Sequence, residues 1–347
     1  CISSAASDVY KRQTLNTNSL IDSTGGTLKI SGTVDNSSEI TMPGTELSLI
    51  GDLAIAGTLT TGANSTINRN NNELDLSGTL KLGGDLNLAG SVTDNATRII
   101  LQTDASLANT SPTGIGSLDL NGYALTTSMG LTIKDAVTLD ASGEKLLTGS
   151  SDLTLNDSLV ISSGNLASTS GTLSFNSTLS LGAAGTIDIQ GGELQVNGNI
   201  SVDGGTFNLA DSSKLKLNSD VTVTTNKALS FGTLEMNNRN LTFIASSGAD
   251  LTLKKAFNLD NSSTLQMNGA DLTIAETATI EGLLEPSGGE LRFQKGGSVS
   301  GTVNSKNSTL ALQTANLVFT GRLQTNASTT MNGANRLDIS NGTLEAE

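Results

Sequence analysis

One pattern is written five times between Leu173 and Val202, and it limits what the chain can fold into more than any other feature. It reads Leu173-Ser-Phe175, Leu179-Ser-Leu181, Ile187-Asp-Ile189, Leu194-Gln-Val196 and Ile200-Ser-Val202. Each unit is apolar, polar, apolar, the two-residue period of a strand with one face buried. The connections are short runs of small or turn-forming residues, such as Asn176-Ser177-Thr178 and Gly182-Ala183-Ala184-Gly185-Thr186. Strands this short are not stable singly, so each must be braced by equivalents before and after it.

The same unit runs through nearly the whole chain. It begins with Leu28-Lys-Ile30 and continues through Leu74-Asp-Leu76, Leu131-Thr-Ile133, Leu251-Thr-Leu253 and Leu291-Arg-Phe293 to Leu337-Asp-Ile339. Units recur at intervals of about 6 to about 8 residues, and taking three together gives a longer period. Leu28 to Leu47 spans 19 residues, while Leu53 to Leu74, Leu173 to Leu194 and Leu251 to Leu272 each span 21. No segment shows the three-to-four apolar period of a helix, and abundant Gly, Asn and β-branched residues oppose one. Two zones are less regular. Pro112 would interrupt a central strand, so a longer loop is expected near 93–127, and a second near 281–290 around Pro286.

Three strands per period of about 20 residues describe a coil with three sides. Stacked coils pair each strand in parallel with its equivalents above and below, at about 4.8 Å per coil. The expected fold is therefore all-β: a parallel β-helix (β-solenoid), right-handed, with about 16 coils over about 75 Å. Spacing that drifts in this way argues against a strict left-handed hexapeptide helix. A string of β-sandwich domains would space its strands more widely, at about 8 to about 12 residues, and carry core aromatics. Here aromatics are 3% of the residues and Trp is absent. A narrow core of aliphatic rows does not need them.

Charge and composition narrow the function. The net charge of −14 argues against nucleic acid and against electrostatic docking on an anionic membrane. No apolar run is long enough to span a membrane. Cys1 is the sole cysteine, so no intrachain disulfide forms, and a solenoid does not need one. Asp8-Val-Tyr-Lys-Arg-Gln13 resembles the translation of a transposon adapter end. Residues 1–13 are accordingly set apart as foreign, and 14–347 are read as a single β-solenoid domain with both ends cut.

The run Leu74-Asp-Leu-Ser-Gly-Thr-Leu-Lys-Leu-Gly-Gly-Asp-Leu-Asn-Leu-Ala-Gly90 resembles the β-helical passenger regions of bacterial autotransporters and haemagglutinin-like adhesins. Phage tail fibres and tailspikes share this texture. The resemblance implies an extracellular or cell-surface rod that meets its partners, cell-surface glycans or neighbouring surface proteins, through a binding tip or shallow sugar-binding faces.

The chemistry available is limited. Without His there is no Ser-His-Asp triad or Cys-His dyad, and the usual zinc ligands are missing, so neither cofactor nor metal is expected. Gly191-Gly192 and Gly204-Gly205 lack the Asp spacing of calcium-binding repeats. The remaining catalytic candidates are Asp250 and Asp271. They lie one long period apart, each just before a strand, so stacking would make them neighbours able to share a proton or hold a cation. The competing reading makes them solvated corner residues near Lys254 or Lys255. Glu276, Glu281, Glu285 and Glu290 read as an exposed loop. Thr222 with Thr242, and Thr252 with Thr273, fall one coil apart on outward positions, where β-branched residues suit a strand. Phe175, Phe207, Phe243, Phe257, Phe293 and Phe319 fall on inward positions and read as core. Tyr123 is the aromatic outside segment 1–13 that is left without a core role. The repeated asparagines are expected to stack at corners and hydrogen-bond along the rod.

The first reading is a structural and adhesive rod without catalysis. The alternative is a polysaccharide-binding or polysaccharide-degrading β-helix, with a groove near 93–127, clustered carboxylates and Arg98.

Overall fold

The computed structural model describes residues 13–346 except 16–19, 23–25, 35–37, 63–64, 69–73, 77, 84–85, 89–96, 110–112, 247, 314–315, 327–328, 333–335 and 340. The chain divides into two compact units, Cys1–Gly171 and Thr172–Glu347. Each is a β-solenoid of parallel stacked strands without a helix among its described residues, and together they make about 14 turns of about 20 residues. The expected 16 divides a length that includes residues outside this description.

Each turn carries three faces, named here in chain order. In the second unit the first face is exemplified by Leu251–Leu253, Leu272–Ile274 and Glu290–Phe293. The second runs through Phe257–Leu259 and Ala278–Ile280, and the third through Thr264–Gln266 and Leu283–Glu285. All four sequence periods are ladder partners: Leu28 with Leu47, Leu53 with Leu74, Leu173 with Leu194, and Leu251 with Leu272.

The alternation in sequence becomes alternation in burial. In Thr172–Phe175, Thr186–Ile189 and Glu193–Val196 every second residue is buried and its neighbour half-buried. Inward residues stack into columns such as Leu173, Leu194 and Leu215, none of them accessible to solvent. Each buried aliphatic side chain contributes roughly 1.5–3 kcal/mol, against roughly 1–2 kcal/mol to order one residue's backbone. That balance favours folding only when neighbouring turns cover both ends of the column. The six phenylalanines assigned to the core are buried, as is Phe231.

Within the second unit the first-face ladder ends at Thr206–Leu209 and restarts at Leu229–Phe231. Phe207 and Phe231 bridge this break edge to face, with ring centroids 6.3 Å apart. In the first unit the long strands Gly26–Val34 and Thr45–Ile55 each turn a corner. Their register steps from Ile30–Leu49 to Gly32–Leu53, so the later turn carries two extra residues there. Gly32 takes the corner with φ 123°, a conformation that glycine adopts without strain.

Polar corner residues join one turn to the next. The Asn199 side-chain oxygen accepts the Thr222 N–H, Asp220 accepts the Asn240 N–H, and Asn240 accepts the Thr264 N–H, each at 2.9 Å. The Asn197 amide donates to Asn176 Oδ1 at 2.5 Å, the asparagine stacking that the sequence suggests. Asn121, Asn237, Asn238, Asn268 and Asn307 also take positive φ, which asparagine tolerates better than most residues.

In the region expected to hold the first long loop, residues 98–101, 105–109, 113–115, 117–119 and 124–127 are strands in register with their neighbours. Residues 93–96 and Pro112 lie outside the described residues, as do 1–12. Around Pro286 the ladder likewise persists, with strands Leu283–Glu285 and Glu290–Phe293 on either side of a tight turn.

Candidate functional site

In the second unit, the corner between the second and third faces is reduced to two residues in three successive turns. Glu281-Gly282, Ser300-Gly301 and Thr320-Gly321 each join a second-face strand to a third-face strand. In each pair both backbone N–H groups donate to one carbonyl of the turn before. The acceptors are Leu259 at 2.8 and 3.0 Å, Ile280 at 2.9 Å twice, and Val299 at 2.8 and 3.0 Å. This doubled bond draws the corners so close that a Cβ on Gly282, Gly301 or Gly321 would lie 2.1–2.2 Å from a backbone oxygen of the preceding turn. Only glycine fits the column, and an open groove lies beside these corners.

The groove has a volume of about 450 Å³. Thr264, Leu283, Thr302 and Arg322, register partners on successive turns, lie along it. Glu285 and Gln324 come from the next outward row, and Asn261, Ser262 and Glu281 line the other margin. That outward row carries three amides and two carboxylates: Gln266, Glu285, Asn304, Gln324 and Glu345. The Asn304 amide donates to Glu285 at 3.1 Å, and the Gln324 amide to Glu345 at 3.2 Å. Arg322 is paired with Glu345, and this guanidinium, with the Gln324 amide, holds the Glu345 carboxyl below its ordinary value. Ser263, also at the groove, is 2% exposed, and its hydroxyl has no hydrogen-bond partner. The buried Asn304 Oδ1, on the outward row, is likewise without one. The surface thus offers hydroxyl, amide, guanidinium and carboxylate groups at the spacing of successive turns, along an apolar strip formed by Leu283.

A second hollow, of about 400 Å³, lies against the second face between Thr233 and Asp260. Glu235 at its edge is occupied by Lys214 at 2.7 Å, and Lys214 also meets Glu193 at 3.5 Å. Hydrogen bonding to Glu235 raises the Lys214 ammonium above its usual value.

Asp250 and Asp271 do occupy equivalent places one turn apart, since Leu251 and Leu272, which follow them, are register partners. Their carbonyls serve the ladder, accepting the Leu229 and Leu251 N–H groups at 2.8 and 2.9 Å. The Asp271 carboxylate accepts the Glu290 N–H at 2.7 Å and so joins turns as the corner asparagines do. Lys254 turns to Asp211 at 2.8 Å, and that hydrogen bond holds the Asp211 carboxyl low.

The four glutamates read together in sequence are dispersed by the fold. Glu276 pairs with Lys295 at 2.7 Å, Glu290 with Arg292 at 2.6 Å, and Glu281 and Glu285 line the groove. Thr222–Thr242 and Thr252–Thr273 are register partners, on the third and first faces respectively. Arg98 meets Asp119 of the next turn at 3.0 Å, and Tyr123 is about one-third exposed. Among the described residues, no three His, Cys, Asp or Glu gather to hold a metal.

Arg322, Gln324 and the glycine column were not singled out from the sequence. Their signal is present there: Ile280-Glu-Gly282, Val299-Ser-Gly301 and Phe319-Thr-Gly321 repeat an apolar residue, a polar residue and glycine at intervals of 19 and 20. No protein-family model, curated protein or solved structure matches the chain.

Proposed function

We propose that the chain is a structural and adhesive segment of a bacterial surface or secreted protein, acting outside the cell through broad surface contact and without catalysis. The observation that carries this reading is the outward rows. They present short polar side chains in register from turn to turn, as in Thr132–Thr154 and Ser180–Ser201, over a core whose columns fix their spacing. A surface of this kind meets a partner through many weak, repeated contacts, and the inter-turn hydrogen bonds supply the stiffness that repetition needs. Its partners would be cell-surface glycans or proteins of a neighbouring cell.

Beads coated with the chain, tested on bacterial and host cell surfaces, address the contact function. Adhesion above that of uncoated beads is expected, and adhesion equal to theirs would overturn it. A polysaccharide-degrading function has one observation in its favour, the equivalent placement of Asp250 and Asp271. Reducing-sugar release from a polysaccharide panel that disappears in D250N/D271N would establish that alternative.

A further inference from the structure

We infer that the interruption of the first-face ladder between Thr206–Leu209 and Leu229–Phe231 is a hinge, where the first face of the second unit parts while the other two faces stay paired. The inference stands whatever surface the chain contacts.

The cause lies in corner length. The strand Thr206–Leu209 reaches the next strand, Lys214–Leu217, through the corner 210–213. One turn later a single residue, Gly232, separates Leu229–Phe231 from Thr233–Glu235. The short corner is drawn inside the long one: a Cβ on Gly232 would lie 2.5–2.8 Å from the backbone oxygens of Ser213, Asp211 and Ala210. A strand pulled to its corner in this way is offset from the strand before it, and the two do not pair. At the same step the second face pairs over four residues, Glu193–Val196 with Lys214–Leu217, and the third over three, Ile200–Val202 with Val223–Thr225. Among the described residues of the second unit, this is the one place where a ladder ends and restarts.

The backbone shows what the break leaves open. In a parallel ladder successive residues face alternate neighbours. Thr206 and Ala210 donate backward, to Gly185 at 3.0 Å and Ile189 at 2.9 Å, so Phe207 and Leu209 face the following turn, where no strand pairs with them. Leu229 donates forward to Asp250 at 2.8 Å, so Ser230 faces back into the break, and its buried hydroxyl has no hydrogen-bond partner. Backbone without a ladder partner is the least protected part of a sheet. Bonds cross only at the margins, from the Asn226 N–H to Val202 at 3.2 Å and from the Thr233 N–H to Ser213 at 3.1 Å. Between them the closure is made by side chains. Phe207 packs edge to face on Phe231, and Lys254 meets Asp211 at 2.8 Å, joining the turn after Gly232 to the turn before it. The ion pair is exposed and adds little, so the two rings carry the closure. In a stack where each turn is braced by its neighbours, motion begins at the weakest junction.

The test is native-state hydrogen exchange of the full chain in urea below its unfolding transition, read at single residues by electron-transfer fragmentation. The informative amides are Asn226 and Thr233, whose bonds cross the break. Their equivalents at the same corners are Asp203 and Lys214 one turn earlier, bonded to Leu181 at 2.7 Å and Gly192 at 3.0 Å, and Ser246 and Lys255 one turn later, bonded to Thr225 at 2.9 Å and Gly232 at 3.1 Å. Asn218, bonded to Val196 at 2.9 Å, reports the far side of the same step. Protection factors of Asn226 and Thr233 are expected to be about tenfold or more below those of the four equivalents, through an opening that grows with urea, while Asn218 stays protected. F207L, which keeps apolar bulk and removes the ring pair, should lower Asn226 and Thr233 about threefold further and leave the equivalents unchanged. Circular dichroism melts show whether F207L keeps the fold, and F231L takes its place if it does not. Equal protection at all these amides, loss of Asn218 protection together with Asn226 and Thr233, or an effect of the phenylalanine variant spread evenly over all of them would each overturn the hinge.

Discussion

Glu144 is 5% exposed, a depth at which a carboxylate must be well compensated. Its compensation comes entirely from backbone N–H groups. Oε2 accepts from Asp140 at 2.6 Å and Ala141 at 3.0 Å, closing its own corner, and Oε1 accepts from Gly122 at 3.1 Å, reaching the turn before. One side chain thus holds two successive turns of the first unit together. Hydrogen bonds to a charged group are worth about 1.5–3 kcal/mol each, but the three donors sit at a surface corner where water can partly replace the carboxylate. E144A is therefore expected to cost about 2–4 kcal/mol. E144Q separates the carboxylate from mere bulk. A glutamine can keep the Asp140 and Ala141 bonds through its oxygen, but it then turns its NH₂ toward the Gly122 N–H, two donors face to face. The expected cost is about 1–3 kcal/mol, below that of E144A. Urea unfolding gives the totals, and hydrogen exchange of peptides covering 120–149 gives the location, since repeat proteins open locally. If E144A and E144Q both cost less than about 0.5 kcal/mol, or if exchange accelerates elsewhere and not in 120–149, the inter-turn role assigned to Glu144 is wrong.

Three further outcomes can be checked. Leu194, inaccessible to solvent and stacked between Leu173 and Leu215, should cost about 2–5 kcal/mol as L194A, while Q195A on the outward side of the same strand, which gives up its hydrogen bonds to Asn218 and Glu193, costs about 0.5–1.5, both read from urea unfolding. G301A should lower the melting temperature, because its Cβ would lie 2.2 Å from the Gly282 oxygen and only backbone can yield; the cost is about 1–3 kcal/mol, the range for overpacked sites, and an unchanged melt would refute the steric account of the corner. The raised Lys214 ammonium stabilises the fold fully below the free lysine value of about 10.4 and loses that contribution as pH rises through its folded value, whereas the lowered Asp211 and Glu345 carboxyls contribute above about 4 and lose it as pH falls. Lys214 is about one-third exposed, so K214M should remove well under about 1 kcal/mol at pH 9, and stability curves of the two proteins should converge at higher pH.

The fold was legible because a solenoid is specified locally. The pattern in Leu173–Val202 names inward and outward residues without reference to anything distant, and the interval from Leu251 to Leu272 gives the ladder partner directly. Even the equivalence of Asp250 with Asp271, and of Thr222 with Thr242, can be counted along the chain. Counting fails for direction and for partners between turns. It places Lys254 near Asp250 and Asp271, but the side chain reaches Asp211. It groups four glutamates by proximity in sequence, while the fold pairs Glu276 with Lys295 and Glu290 with Arg292 and leaves only Glu281 and Glu285 together on the groove. Pro112 suggests a long excursion, but strands on either side of 110–112 pair in register, so the ladder is kept around it.

The sequence by itself determined the strand, the three-sided turn and the period, because each follows from alternation and spacing within about 20 residues. Tertiary structure alone decided the groove. Its glycines, glutamates, arginine and glutamine come from successive turns, and what joins them is the closeness of stacked corners. That closeness is set by pairs of N–H groups sharing one carbonyl, a three-dimensional fact that no single repeat contains.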